Sequence, residues 1–264
     1  MMITILLIRG LSRQQGHWGE FPAILRQAFK EQKITVNLAF EDLPGFGTRY
    51  QQNSPSYIEK IAELLVPTLA KLNNETGQKI HLLGISMGGM VALELARRCP
   101  EFCESLVMIN SSVKPVSRFY QRLQSRAYPA FLKAFIHPSM RESERQILKI
   151  STEKYAQDAR LLDYWLYLRE NYPPSRKAAL NQIVAASQYL APIKKPLAQV
   201  CLIASKRDLI ASHHCTQNLA KYWGIEYYLH PEAGHDIALD EPEWLADNLL
   251  HFVQNIYSIS FPTI

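Results

Sequence analysis

The sequence predicts an α/β fold. About six mostly parallel strands form a sheet between two helical layers, with a helical insertion after the fourth strand. Three observations carry this. Short β-branched and aliphatic runs alternate with helical patterns as far as Ile109, with short connections. The alternation resumes at Val200. Between them, from Val113 to Leu190, no strand-like run occurs.

The elements follow in order. Ile3 to Ile8 (ITILLI) fits a strand buried on both faces and ends at Arg9-Gly10. Trp18 to Phe29 has helical spacing of Phe21, Ile24, Leu25 and Phe29. Ile34 to Phe40 is the second strand, closed by the breaker-rich EDLPGFGTR. Ser56 to Asn73 is a helix with Pro67 inside, which predicts a kink or break there. Ile80 to Ile85 is the third strand, Met87 to Arg98 a helix, and Leu106 to Ile109 the fourth strand. After the insertion come a strand at Val200 to Ala204, a helix at Ser212 to Tyr222, a strand at Ile225 to His230 and a closing helix at Pro242 to Tyr257. The domain plan is a core of 1–112 and 191–264 with an insertion at 113–190.

A chain of 264 residues, 47% apolar, is long enough for one domain with a real core. No apolar stretch reaches membrane-spanning length, and MMITILLIRG lacks a basic leader and a cleavage site. Cys99, Cys103, Cys201 and Cys215 form no CxxC pair. These features predict a cytoplasmic protein with reduced thiols. The net charge of +5 is uneven. Ser112 to Leu190 holds 13 Lys and Arg against 6 Asp and Glu, so the remainder carries 16 against 18.

The third strand ends in Gly84-Ile85-Ser86-Met87-Gly88-Gly89, and a helix starts at once. A side chain at such a sharp strand-to-helix turn projects beyond the sheet. The backbone there is strained, so its close neighbours must lack bulk, which accounts for Gly84 and Gly88. A serine hydroxyl is a poor nucleophile and needs a base, and the base needs an orienting acid. His235 lies after the last strand, on the sheet edge that carries Ser86, where chemistry gathers in open α/β sheets. Asp208, in SKRDLI after the fifth strand, is 27 residues before it. No carboxylate follows the fourth strand in INSSVKP. As a structural alternative, Ser86 is a helix cap. His230 competes with His235, and Asp236 beside it is solvated or a loop stabiliser.

Four segments together resemble the α/β-hydrolase family over nearly the whole chain: GISMGG, DLPGFG at 42–47, SKRDLI at 205–210 and AGHDIALDEPEWLA at 233–246. The resemblance implies the three-layer α/β-hydrolase sandwich, with the insertion as its cap. It implies catalysis by Ser86, Asp208 and His235 and no cofactor or metal. The oxyanion hole would be the backbone N–H groups of Met87 and of Leu11, after the Arg9-Gly10 turn. Many members have His-Gly at that turn. Arg9 in this chain either ties down the loop or recognises an anionic group. Serine at the elbow speaks against the dehalogenases and epoxide hydrolases of the family, which carry Asp there.

Other chemistries find less support. His213 and His214 are adjacent and point to different faces of the predicted helix, without further ligands. GFG and GISMGG do not make G-x-G-x-x-G. Nucleic acid has no recognition motif. Arg118, Arg122 and Arg126 are spaced for one helical face, extended by Lys133, Arg141, Arg145 and Lys149. This is either a solvated face or a docking face for an acidic acyl carrier protein. Phe119, Tyr120 and Trp165 are substrate-pocket candidates and equally candidates for cap packing. The expected activity is cleavage of a small-molecule carboxylic ester or thioester through an acyl-enzyme. The rivals are a carrier-protein-linked methyl ester esterase or thioesterase and a non-catalytic ligand receptor on the same fold.

Overall fold

The computed structural model describes residues 1–191 and 194–259. Among these, six strands form one sheet in the order β2-β1-β3-β4-β5-β6, every neighbouring pair parallel. The strands are β1 (Met2–Ile8), β2 (Thr35–Glu41), β3 (Ile80–Ile85), β4 (Cys103–Ile109), β5 (Gln199–Ser205) and β6 (Tyr228–His230). The central strands are buried on both faces because helices cover both.

Alternation along the strands divides the core in two. Leu6, Leu82, Leu106 and Leu202 face α2 (Ile58–Thr76) and α3 (Met87–Arg98). Leu7, Leu83, Val107 and Ile203 face α1 (Phe21–Glu31) and α11 (Pro242–Ile259). Each leucine buried this way contributes roughly 1.5–3 kcal/mol. The expected break at Pro67 does not occur, and α2 runs through it as one helix. Pro67 lies on the exposed side, where water can reach the carbonyl that its ring leaves without a donor.

The cap follows β4 and is entirely helical: α4 (Phe119–Arg122), α5 (Tyr128–Ile136), α6 (Met140–Ser151), α7 (Ala159–Asn171) and α8 (Arg176–Gln188). Its entry and exit are paired, with Lys114 bridging Leu190 and the Ala191 N–H donating to the Lys114 carbonyl at 2.9 Å. Arg118, Arg122 and Arg126 do not share a helical face. The chain is extended at Leu123 and Gln124, so α4 ends at Arg122. Arg122 turns inward and donates to the carbonyls of Ala186 and Ser187 near the end of α8. The core resumes with α9 (His214–Trp223) and α10 (Ile237–Asp240) around the last strand. No helix among the described residues is long and apolar enough to cross a membrane.

Candidate active site

Ser86 sits between β3 and α3 with φ 57° and ψ −123°. A non-glycine residue there is strained by about 1–3 kcal/mol, and its surroundings must hold it. The Ser86 N–H donates to the Ile109 carbonyl at 2.8 Å. The Ser86 carbonyl accepts from the Gly89 N–H at 3.0 Å and from the Ser111 hydroxyl at 2.8 Å. A Cβ on Gly84 would stand 2.3 Å from the Gly88 oxygen, and one on Gly88 would stand 2.3 Å from the Ile8 oxygen. Gly84 is therefore required for β3 to meet the start of α3, and Gly88 for the elbow to pack against β1. The Ser86 side chain makes no capping bond, although its residue precedes α3. It lines a cavity of about 980 Å³ instead.

The buried His235 and Asp208 side chains meet, with Nδ1 and Oδ2 2.7 Å apart. The other Asp208 oxygen accepts the N–H groups of Ile210 and Ala211 at 2.7 and 2.9 Å. A carboxylate so held aims one oxygen at the imidazole. It assigns the proton to Nδ1 and leaves the Nε2 lone pair free. No side-chain hydrogen bond joins Ser86 to His235 here.

Asn110, after β4 with φ 46°, was not singled out from sequence. Its amide donates to the Ser205 hydroxyl at 2.9 Å and to the His235 carbonyl at 2.8 Å, and its oxygen accepts the Ser205 N–H at 2.8 Å. It thus staples the ends of β4 and β5 to the histidine loop. An asparagine belongs to no motif at this position, so only its place at a strand end could have pointed to it.

Leu11 and Met87 line the same cavity as Ser86. Gly10 packs so closely that a Cβ would lie 2.9 Å from the Ser86 Cβ. Among the described residues, nothing accepts the Leu11 N–H. The next N–H, of Ser12, donates at 2.9 Å to Gln182, a fully buried residue of α8 that also reaches the Pro44 carbonyl. The cap therefore holds the Leu11 loop in place.

Arg9 is a tie. Its guanidinium forks onto both oxygens of Asp236, with Nη1 to Oδ1 at 3.0 Å, and lies over the Trp18 ring. Asp236 is buried, so it is the loop stabiliser of the two readings and not a solvated residue. His230 is also structural, accepting the Glu232 and Ala233 N–H groups through Nδ1. Of the cap aromatics, Trp165 is buried and lines the cavity, and Phe119 lines its exposed rim. Tyr120 does not line it; its hydroxyl takes a bond from Arg118 at 3.2 Å.

His213 and His214 do not diverge as expected. His213 precedes α9, and the two rings stand 4.2 Å apart. No group of three metal-capable side chains occurs among the described residues. The four cysteines are free and buried, and burial pushes the thiols of Cys103 and Cys201 up to about 12.

The pattern of the alpha/beta hydrolase family matches residues 5–248. The chain belongs to that family. A pimeloyl-[acyl-carrier protein] methyl ester esterase of Nitrosospira multiformis is 23% identical, over 95% of this chain and 94% of its own. A provisionally assigned carbamate hydrolase, RutD, of Agrobacterium fabrum is 26% identical over 95% and 92%. The fold recurs in the enol-lactonase of Burkholderia xenovorans, with a TM-score of 0.74 at 16% identity, covering 96% of this chain and 92% of that one. This hydrolase accordingly has the family's fold.

Proposed function

We propose that the chain is a serine carboxylic ester hydrolase working through an acyl-enzyme. The observation that carries it is the pairing of His235 with Asp208 at the carboxyl edge of the sheet, the edge at which a strained Ser86 opens on a large cavity. His235 Nε2 takes the Ser86 proton, and the Ser86 oxygen attacks the ester carbonyl. Leu11 and Met87 N–H groups receive the oxyanion, and Asp208 stabilises the imidazolium. The alcohol leaves with the proton from His235. A water activated by the same nitrogen then releases the acid. The Ser86–His235 bond forms with substrate in place, since such bonds are often loose in a free enzyme. The ester hydrolase class matches the methyl ester esterase name of the Nitrosospira multiformis relative. The buried free thiols fit a reducing compartment, the cytoplasm.

Intact mass after fluorophosphonate treatment tests this. One adduct on the wild type and none on Ser86→Ala is expected. No adduct on either would favour the receptor reading.

One observation favours a second, narrower reading. Between Glu104 and Glu142 the chain has no acidic residue, and Arg118, Arg126 and Lys133 of that stretch are exposed, while Arg141 pairs with Asp163. Such a stretch suits an acidic acyl carrier protein presenting the ester. Turnover of a carrier-bound methyl ester no faster than the free ester at low salt would rule it out.

A further inference from the structure

Five cations line the cavity that holds Ser86, and one anion does. The cations are Arg13, Lys114, Arg122, Arg169 and Arg176, and the anion is Glu144. The imbalance includes buried groups. Arg13 is 9% exposed, with its guanidinium 4.2 Å above the Trp165 ring. Its Nη1 donates to Glu144 Oε2 at 2.8 Å and to His17 Nε2 at 3.2 Å. The other Glu144 oxygen is taken by Arg169 at 2.9 Å. One carboxylate therefore serves two guanidiniums.

His17 adds no charge to this group. Burial, with Arg13 and then Arg9 nearby, holds its pKa well below the ordinary value, so its neutral ring accepts from Arg13. Arg13 Nε and Nη2 meet no acceptor among the described residues. A structural tie between cap and core would need one balanced pair. It would not need a second guanidinium, nor leave half of the first unbonded in an enclosed space. Uncompensated buried charge is costly, and an anionic ligand removes that cost.

We propose that the cavity takes esters that also carry a carboxylate, half-esters of dicarboxylic acids being the simplest. The free edge of Arg13, with Arg169 beside it, receives that carboxylate. A guanidinium fork matches carboxylate geometry in two parallel bonds, and the Trp165 ring holds the fork flat. The remaining lining is largely apolar and accommodates the chain between carboxylate and ester. This rests on the ester hydrolase reading and names its substrate class.

The test compares a monomethyl half-ester with the methyl ester of the same length that ends in a neutral carboxamide. The wild type is expected to prefer the half-ester at least tenfold in kcat/KM. Its KM for the half-ester should rise with salt, while that for the carboxamide stays level. Arg13→Gln should bring the ratio near one, its folding checked by a cooperative thermal transition. If that variant does not fold, the wild-type salt response decides. Equal kcat/KM on both esters, in a protein that accepts the fluorophosphonate, overturns the proposal and leaves the hydrolase reading standing. Faster turnover of an ester bearing a phosphate in place of the carboxylate also overturns it, in favour of a phosphate. Absence of both labelling and turnover would count against the hydrolase reading instead.

Discussion

The side-chain amide of Asn110 donates to the main-chain carbonyl of His235 at 2.8 Å, fastening the end of β4 to the loop that carries the histidine. Asn110 holds the backbone of His235 and Asp208 holds its ring, so the two fix the residue at both. Asn110→Gly tolerates the φ of 46° and removes only the amide. A base displaced by a fraction of an ångström should lower kcat about 10- to 100-fold, with KM little changed. Steady-state kinetics on any accepted ester check this; an unchanged kcat would mean the loop holds itself.

Arg9 and Asp236 are both buried and lie 227 positions apart. Removing one partner leaves a buried charge alone. Arg9→Met is therefore expected to cost about 3–5 kcal/mol in urea unfolding. Adding Asp236→Asn should restore part of the loss, because no charge is then stranded. Equal and additive losses would show that the pair contributes through packing alone.

The sheet was legible because strands buried on both faces leave unbroken aliphatic runs such as ITILLI, and because the breakers between them are dense. The last strand is shorter than the expected Ile225 to His230. Only Tyr228–His230 pairs with β5, while Ile225 and Tyr227 pack beneath the sheet with the α2–α3 core. The elbow was legible because two glycines around a serine answer a local steric need. The ties that hold the site were not. Arg9–Asp236, Arg13–Glu144 and Ser12–Gln182 join residues more than a hundred positions apart, and nothing in local spacing selects one partner over another. The cap was legible as helical and no further. Its helices are placed by contacts with one another and with the core, so a predicted stripe of three arginines broke at Leu123.

His81 on β3 is buried between the Ser105 and Tyr257 hydroxyls, and burial lowers its pKa from 6.5 to about 4. Between these values the unfolded chain binds a proton that the native state refuses. Its contribution is fully present above about pH 6.5 and is lost as pH falls through the window, by roughly 3 kcal/mol at the acid end. His17 acts in the same direction. His81→Asn should flatten the fall in unfolding free energy between about pH 6.5 and 4 relative to wild type. Parallel stability curves would place the loss elsewhere.

Asp240 is almost fully buried and joins the cap to the histidine loop. It accepts the Gly234 N–H at 2.8 Å from the loop and the Glu153 and Lys154 N–H groups at 3.0 and 3.1 Å from the chain leaving α6, together with the Thr152 hydroxyl. One carboxylate thus gathers three backbone donors from two segments, one of which leads into His235. Asp240→Asn keeps the size and turns one acceptor into a donor facing donors. A loss of about 1–3 kcal/mol follows, together with a lower kcat. Hydrogen exchange gives the sharper reading. The amides of Gly234, Glu153 and Lys154 should lose protection together, because one group holds all three. Loss at Glu153 and Lys154 with Gly234 still protected would mean that the cap can loosen while the histidine loop stays ordered. Asp240 would then be a cap anchor and not a coupling between the two.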